Sequence, residues 1–122
     1  MNEDTANSEL ALLTDGEADS LLGIARRAVL EATRGNLNWR PELQALPARL
    51  RRPGASFVTL HMHGRLHGCI GSVDARTALA LDVAKNAQSA AVHDPRFPQL
   101  AGAEVDDTDI EVSVLSAMQL MP

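Results

Sequence analysis

The fold of this chain is decided by the stretch Ser56-Phe-Val-Thr-Leu-His-Met-His-Gly-Arg-Leu-His-Gly-Cys-Ile-Gly71, which has the pattern of a β-hairpin. Two apolar-rich runs, 56–62 and 66–70, flank His63-Gly64, which can supply the positive φ angles of a two-residue turn. The expected cross-strand pairs are Met62–Arg65, Leu60–His67 and Val58–Cys69. With this turn, Cys69 shares one face with His67, Leu60 and Val58. A one-residue change in loop length would regroup the two faces, so the sequence leaves the register open.

The second run ends in Gly68-Cys69-Ile70-Gly71, which places the only cysteine of the chain between two glycines. Because glycine has no side chain, Gly68 and Gly71 would let a ligand approach the backbone and its free amides closely. Cys69 is therefore a candidate nucleophile, with His67, roughly 6–7 Å away along the strand, or His61 as its base. The structural alternative is that Cys69 is a small buried hydrophobic residue, as single strand cysteines most often are.

The histidines of the hairpin also have spacings that suit zinc, since His61-x-His63 precedes His67-x-Cys69. With a two-residue turn, however, the two pairs face opposite sides of the hairpin and cannot converge on one ion. We therefore expect no metal site. The chain also has no glycine-rich phosphate loop, serine-triad pattern or Cys-x-x-Cys motif, and the sequence indicates no cofactor.

Two alanine-rich helices are predicted on either side of the hairpin. Thr14 and Glu17 form a capping box, and the helix that follows continues to about Arg34, where Gly35 ends it. A second helix is expected from near Thr77 until Pro95 stops it. Their apolar stripes are Leu21, Ile24, Ala25, Ala28 and Ala32 in the first helix, and Ala80, Val83, Ala84, Ala87 and Ala91 in the second.

A third strand is predicted near the C-terminus, where Ile110, Val112 and Val114 alternate with polar residues. A hairpin-built antiparallel sheet flanked by two alanine-rich helices is an α+β fold. We expect residues 1–12 to be a disordered tail and residues 13–122 to form one domain.

The segment Asp94-Pro95-Arg96-Phe97-Pro98, after the second helix, forms a rigid corner with a charged pair. Asp94 can cap the turn and pair with Arg96, while Phe97 anchors the corner to the core. The alternative is that Asp94 and Arg96 belong to a polar ligand site, in which Arg96 holds the substrate.

Charge is distributed unevenly along the chain, whose net charge is −5. The basic residues all lie within residues 21–98, and Arg49, Arg51, Arg52 and Arg65 could meet phosphate groups. Few aromatic side chains are available to stack on bases, so nucleic-acid binding has weak support. No apolar run is long enough to span a membrane, and no basic, apolar signal peptide begins the chain. With one cysteine and therefore no internal disulfide, we expect a cytoplasmic protein.

Several of these segments together resemble the AMMECR domain family, known in prokaryotes as AmmeMemoRadiSam system protein A. The family hexapeptide Leu-Arg-Gly-Cys-Ile-Gly corresponds to Leu66–Gly71, where His67 replaces the arginine. The other similar segments are Leu13-Thr14 with its helix, 57–61, 94–98 and 110–116. The resemblance covers about residues 13–118, and it is specific because separated motifs occur in the same order.

The resemblance implies an α+β fold around an antiparallel sheet, and a small-molecule or substrate site around the hexapeptide. It supplies no settled activity, so whether the chain is an enzyme stays open. Genes for a Memo-like protein and a radical S-adenosylmethionine enzyme accompany the family's genes, which makes these two proteins candidate partners of a non-catalytic domain.

Two departures from the family pattern change these expectations. His67 removes a permanent cation and bidentate anion donor from the hexapeptide. Family members usually continue well beyond the strand at 110–116, so we expect this chain to be truncated at its C-terminus. A sheet edge left exposed in this way could be covered by a second copy, giving a homodimer.

Overall fold

The computed structural model describes residues 13–115. The tail expected at 1–12 and the end of the last motif lie outside the described residues. The helices are α1 (Asp15–Thr33), the one-turn α2 (Ala48–Arg51) and α3 (Leu79–Val92), with 3₁₀ turns at Leu43–Ala45 and Gly102–Asp107. The strands are β1 (Ala55–Met62), β2 (Arg65–Gly71) and β3 (Thr108–Leu115).

The three strands form one antiparallel sheet in the order β2-β1-β3, and the predicted α+β class is confirmed. Helices α1 and α3 pack against each other and against one face of this sheet. We call this helix-covered side the inner face, and it carries Val58 and Leu60, which are both fully buried. The opposite side, the outer face, carries half-buried and exposed residues, among them Thr59 and Glu111.

Local chemistry sets the ends of α1 as predicted. The Thr14 hydroxyl accepts a hydrogen bond from the Glu17 amide at 3.0 Å, and the Glu17 carboxylate accepts one from the Thr14 amide at 2.8 Å. These two bonds satisfy amides that have no partner within the helix. After the helix, Gly35 adopts a φ of +83°, the left-handed conformation that glycine tolerates without steric cost.

Small side chains allow α1 and α3 to approach each other and the sheet closely. Eight alanines of the two helices are at most 5 % exposed, and leucines and valines fill the remaining space. Those alanines are Ala25, Ala28, Ala32, Ala80, Ala84, Ala87, Ala90 and Ala91. Aromatic rings contribute little to this core, so its packing depends on the close approach of the backbones.

The hairpin turn is as predicted, but the register changes beyond it. His63 and Gly64 have φ angles of +55° and +77°, and Met62 pairs with Arg65. A β-bulge then leaves His67 without a partner on β1. The pairs beyond the bulge are Leu60–Gly68, Thr59–Cys69, Val58–Ile70 and Phe57–Gly71.

In a regular hairpin Cys69 would lie on the inner face, but the bulge moves it to the outer face. It lies opposite Thr59 on the outer face, and not with Val58 and Leu60. Gly68 explains the shift, because it takes the inner position opposite Leu60, where α3 leaves no room for a side chain. A regular hairpin would place His67 there, against the helix.

Candidate functional site

Cys69 presents its thiol on the outer face of the sheet. Its Sγ lies 3.3 Å from the Thr59 hydroxyl oxygen, and both residues are half-buried. Thr59 is opposite Glu111 on β3, so a thiol, a hydroxyl and an exposed carboxylate follow one another across three strands. This row of polar side chains lies on the side of the sheet that α1 and α3 do not cover.

The two histidines expected to act as a base occupy different surroundings. The ring of His67 stacks on Phe97 with 6.2 Å between ring centroids, and its buried Nε2 has no hydrogen-bond partner within residues 13–115. His61 is the next outer-face residue of β1 after Thr59, so it is a diagonal neighbour of Cys69, on the order of 7–8 Å away. The geometry therefore favours His61 over His67 as a partner of the thiol.

The backbone of Cys69 is held at the free edge of β2 by the corner at 94–98. The Cys69 amide donates to Asp94 Oδ2 at 3.0 Å, and Arg96 Nη2 donates to the Cys69 carbonyl at 3.3 Å. Arg96 also donates twice to the Asp94 carboxylate, at 3.0 Å from Nε and 2.8 Å from Nη2. We call Asp94 and Arg96 the edge clamp, because they occupy the two backbone groups that a further strand would use.

The clamp is an ion pair at neutral pH. Hydrogen bonds from the Arg96 side chain hold the pKa of Asp94 well below its usual range, although burial acts in the opposite direction. Hydrogen bonding to Asp94 in turn raises the pKa of Arg96. The Arg96 side chain is still 58 % exposed while that of Asp94 is 2 % exposed, so part of the guanidinium faces solvent next to Cys69.

The glycines of the hexapeptide have packing roles. A Cβ on Gly68 would lie 2.1 Å from the carbonyl oxygen of Ala90, and one on Gly71 would lie 2.2 Å from the ring of Phe57. Because Gly68 has no side chain, helix α3 can pack directly against β2, and the absence of a side chain at Gly71 leaves room for the Phe57 ring. Since Asp94 accepts the Cys69 amide, the expectation of a free amide at this residue is not met.

The outer face continues from Cys69 toward the hairpin turn. A depression of about 380 Å³ is lined by His61, Gly64, Asp109, Ile110 and Glu111. His61 and Asp109 are paired across β1 and β3, which places an imidazole next to a carboxylate. This depression offers both a hydrogen-bonding surface and negative charge beside the Cys69 row.

Within residues 13–115, no three His, Cys, Asp or Glu side chains are grouped so that they could hold a metal ion. None of the helices in this range combines the length and hydrophobicity needed to cross a membrane. The four arginines considered for phosphate binding do not form one cluster along the chain. Arg49, Arg51 and Arg52 precede β1, whereas Arg65 follows it, and the strand between them is roughly 23 Å long.

Thr59 is the site residue that the sequence reasoning missed. It became the neighbour of Cys69 only through the bulge, and nothing in the alternating pattern of the hairpin shows an inserted residue. The available signal was Gly68, because a glycine inside a strand often marks a bulge or a close approach of another backbone.

Comparison with known proteins identifies relatives of the whole described domain. The AMMECR1 family model matches residues 22–122. A protein of Methanothermobacter thermautotrophicus is 43 % identical over 107 residues, which are 87 % of this chain and 55 % of that protein. A protein of Aeropyrum pernix is 40 % identical over 114 residues, which are 90 % of this chain and 48 % of that protein.

The crystal structure of the uncharacterized protein PH0010 from Pyrococcus horikoshii is similar in fold. Its TM-score is 0.79 at 33 % identity, and the match covers 86 % of this chain and 54 % of that one. The chain thus spans about half the length of the curated relatives it matches. The names of these relatives state no activity.

Proposed function

This chain belongs to the AMMECR1 family, and we propose that the outer face around Cys69 is its small-molecule or substrate site. The observation that carries the proposal is the position of the thiol: Cys69 Sγ lies on the side of the sheet that α1 and α3 do not cover, in contact with the Thr59 hydroxyl. A cysteine with only a packing role would be expected on the inner face, where Val58 and Leu60 are fully buried.

The neighbouring groups suit a thiol that reacts with, or binds, a polar ligand. Arg96 places a guanidinium beside Cys69, and a neighbouring cation is a feature of cysteines that react as thiolates. Thr59 can donate to that thiolate or to the ligand. In a catalytic reaction, His61 is the base on the same face, while the edge clamp fixes the strand that carries the thiol.

Alkylation rates of Arg96 variants test the proposed role of the guanidinium. We expect iodoacetamide to label Cys69 in the native protein at neutral pH, and Arg96→Gln to slow labelling several-fold because the thiolate loses a neighbouring cation. Arg96→Lys keeps the charge and should retain more of the rate. Labelling is followed by intact-protein mass spectrometry.

Two further measurements make this result decisive. Cys69→Ser should take up no label, which assigns the reaction to this residue. Circular dichroism without denaturant should show that each Arg96 variant is folded, so that the rates compare native proteins. Equal rates for wild type, Arg96→Gln and Arg96→Lys would contradict the proposed activation of the thiol.

A second candidate function is partner binding, favoured by the open side of the sheet at β3. Within residues 13–115, β3 pairs only with β1, and a small apolar groove of about 100 Å³ separates it from α1. The groove is lined by Leu13, Ala18, Leu21, Leu22, Val112 and Val114. Exposed apolar surface beside a free strand edge is typical of an interface.

The occupant that we propose for this edge is a second copy of the chain. Two β3 strands paired antiparallel about Val112 would place Ile110 opposite Val114 and Glu111 opposite Ser113, so that no carboxylate faces another. A Memo-like protein or a radical S-adenosylmethionine enzyme, in the cytoplasm, is the alternative occupant that the family's gene neighbourhood suggests.

Leucine variants test where the second copy docks. Leu22, 42 % exposed, lies in the groove, whereas Leu66, 41 % exposed, lies on the hairpin and provides a matched control. Sedimentation velocity should show a dimer that Leu22→Glu dissociates and Leu66→Glu leaves intact. A monomeric wild-type protein, or equal effects of both variants, would contradict this candidate.

A further inference from the structure

A buried carboxylate lies on the inner side of the sheet, away from Cys69. Asp82 of α3 is 6 % exposed. Its Oδ2 accepts hydrogen bonds from the Ser56 hydroxyl at 2.7 Å and from the Asn86 side-chain amide at 3.1 Å. Its Oδ1 accepts one hydrogen bond, from the Ser72 hydroxyl at 2.8 Å. The carboxylate is thus held in a fixed orientation by three neutral donors.

No cation compensates this carboxylate within residues 13–115. No lysine, arginine or histidine nitrogen of the described residues lies within 4.0 Å of Asp82, whereas Asp94 and Glu31 both have arginine partners. Buried charges in proteins are usually paired. A carboxylate oxygen can accept two hydrogen bonds, and Oδ1 has one acceptor position free.

Asp82 borders a cavity that is open to solvent. The cavity has a volume of about 350 Å³ and lies between α3 and the loop that follows β2. Volumes of about 300–1,000 Å³ are typical of small-molecule sites. Ser72 and Thr77 contribute hydroxyl groups to its wall, and Val73, 68 % exposed, contributes an apolar side chain.

Lys85, the only lysine of the chain, lines the same cavity. It follows Asp82 by three residues on α3, so the Cβ atoms of the two residues lie about 5–6 Å apart on one side of the helix. Lys85 is exposed and, within the described part of the chain, no carboxylate oxygen lies within 4.0 Å of its ammonium. The other cation of the cavity, Arg76, is paired with Asp74 at 3.0 Å.

We propose that this cavity binds a free α-amino acid, whose ammonium group is held by Asp82 and whose carboxylate is held by Lys85. A fixed negative charge and a free positive charge, one helical turn apart on one wall, match the two charges of a zwitterion. Val73 offers an apolar contact for a small side chain. The site is independent of the Cys69 row, because Ser56 and Asp82 lie on the inner side of the sheet.

Ligands that lack one charge test the proposed recognition. Saturation-transfer NMR and calorimetry are carried out with alanine, N-acetylalanine, which has no ammonium group, and alaninamide, which has no carboxylate. We expect alanine to bind and each derivative to bind at least about tenfold more weakly, because each leaves one protein charge without a partner. Equal binding of all three, or no binding of alanine at about 10 mM, would overturn the proposal.

Variants of Lys85 assign the binding to this cavity without disturbing the core, because the residue is exposed. Lys85→Gln should weaken alanine binding about tenfold, and Lys85→Arg should restore most of it. Arg65→Gln removes an exposed charge at the hairpin and should change nothing. Undiminished binding by Lys85→Gln would refute the site. A different pair of results would give Lys85 another role. If the wild-type protein binds no alanine and Lys85→Gln lowers the free energy of unfolding, Lys85 serves as an internal partner of Asp82.

Discussion

Replacing Gly68 with alanine is expected to destabilise the domain by about 3 kcal/mol or more, the upper part of the range for overpacked cores. The new Cβ would lie 2.1 Å from the carbonyl oxygen of Ala90. That oxygen belongs to the backbone of α3, so the clash can be relieved only by moving the helix away from β2. Urea unfolding of the purified variant, followed by circular dichroism, measures the loss.

Two other substitutions separate this effect from a general cost of adding a methyl group. Gly23 is an exposed residue within α1, and a Cβ there meets no atom within 4 Å, so Gly23→Ala should stabilise the protein by about 0.5–1 kcal/mol. Ala90→Gly should not rescue Gly68→Ala, because the clashing atom stays in place. A Gly68→Ala protein as stable as wild type would show that helix and strand do not approach in this way.

Replacing Asp94 with asparagine is expected to destabilise the protein by about 2–3 kcal/mol at neutral pH, the cost of unpaired charged and backbone groups. The substitution removes the charge that pairs with Arg96 and weakens the acceptor of the Cys69 amide. Because the clamp fixes the end of β2, hydrogen exchange at the Cys69 amide should also become faster. Urea unfolding measures the change in stability, and NMR measures the exchange rate of the Cys69 amide.

The same variant should change how stability depends on pH. Hydrogen bonds from Arg96 lower the folded-state pKa of Asp94, whereas an aspartate in the unfolded chain has a pKa of about 3.9. The unfolded chain therefore binds the proton first as the pH falls. Stability from this group is complete above the unfolded pKa and is lost as the pH falls through the folded one.

We expect Asp94→Asn to lose less stability than wild type between neutral pH and acid. Asp74→Asn serves as a control, because the ion pair of Asp74 with Arg76 is exposed and contributes little. Parallel curves for wild type and Asp94→Asn would contradict the assignment of the clamp as a stabilising ion pair.

Features set by neighbouring residues could be predicted from the sequence. The His63-Gly64 turn needs positive φ angles, and both residues have them. The capping box of α1 depends on two residues three positions apart, and both of its hydrogen bonds are present. The Asp94–Arg96 pair was predicted as a turn-capping contact for the same reason, since its partners are close in the chain.

Features set by distant parts of the chain could not be predicted. The bulge at His67 follows from the approach of Ala90, which is 22 positions beyond Gly68. Likewise, Asp94 reaches the Cys69 amide because the corner after α3 folds against the edge of β2. Ser72 is a further example, because its hydroxyl donates to Asp82, which follows it by ten positions and lies on α3.

The ratio of Cys69 alkylation rates in native and urea-unfolded protein tests most simply whether the outer face is an open reactive site. Brief exposure to iodoacetamide at neutral pH, acid quenching and intact-mass measurement give both rates. We predict that the native protein reacts at least as fast as the unfolded chain, since the half-buried thiol lies on the side of the sheet that α1 and α3 do not cover, beside a guanidinium. A native protein that stays unlabelled until urea unfolds it would show that Cys69 is an inert packing residue.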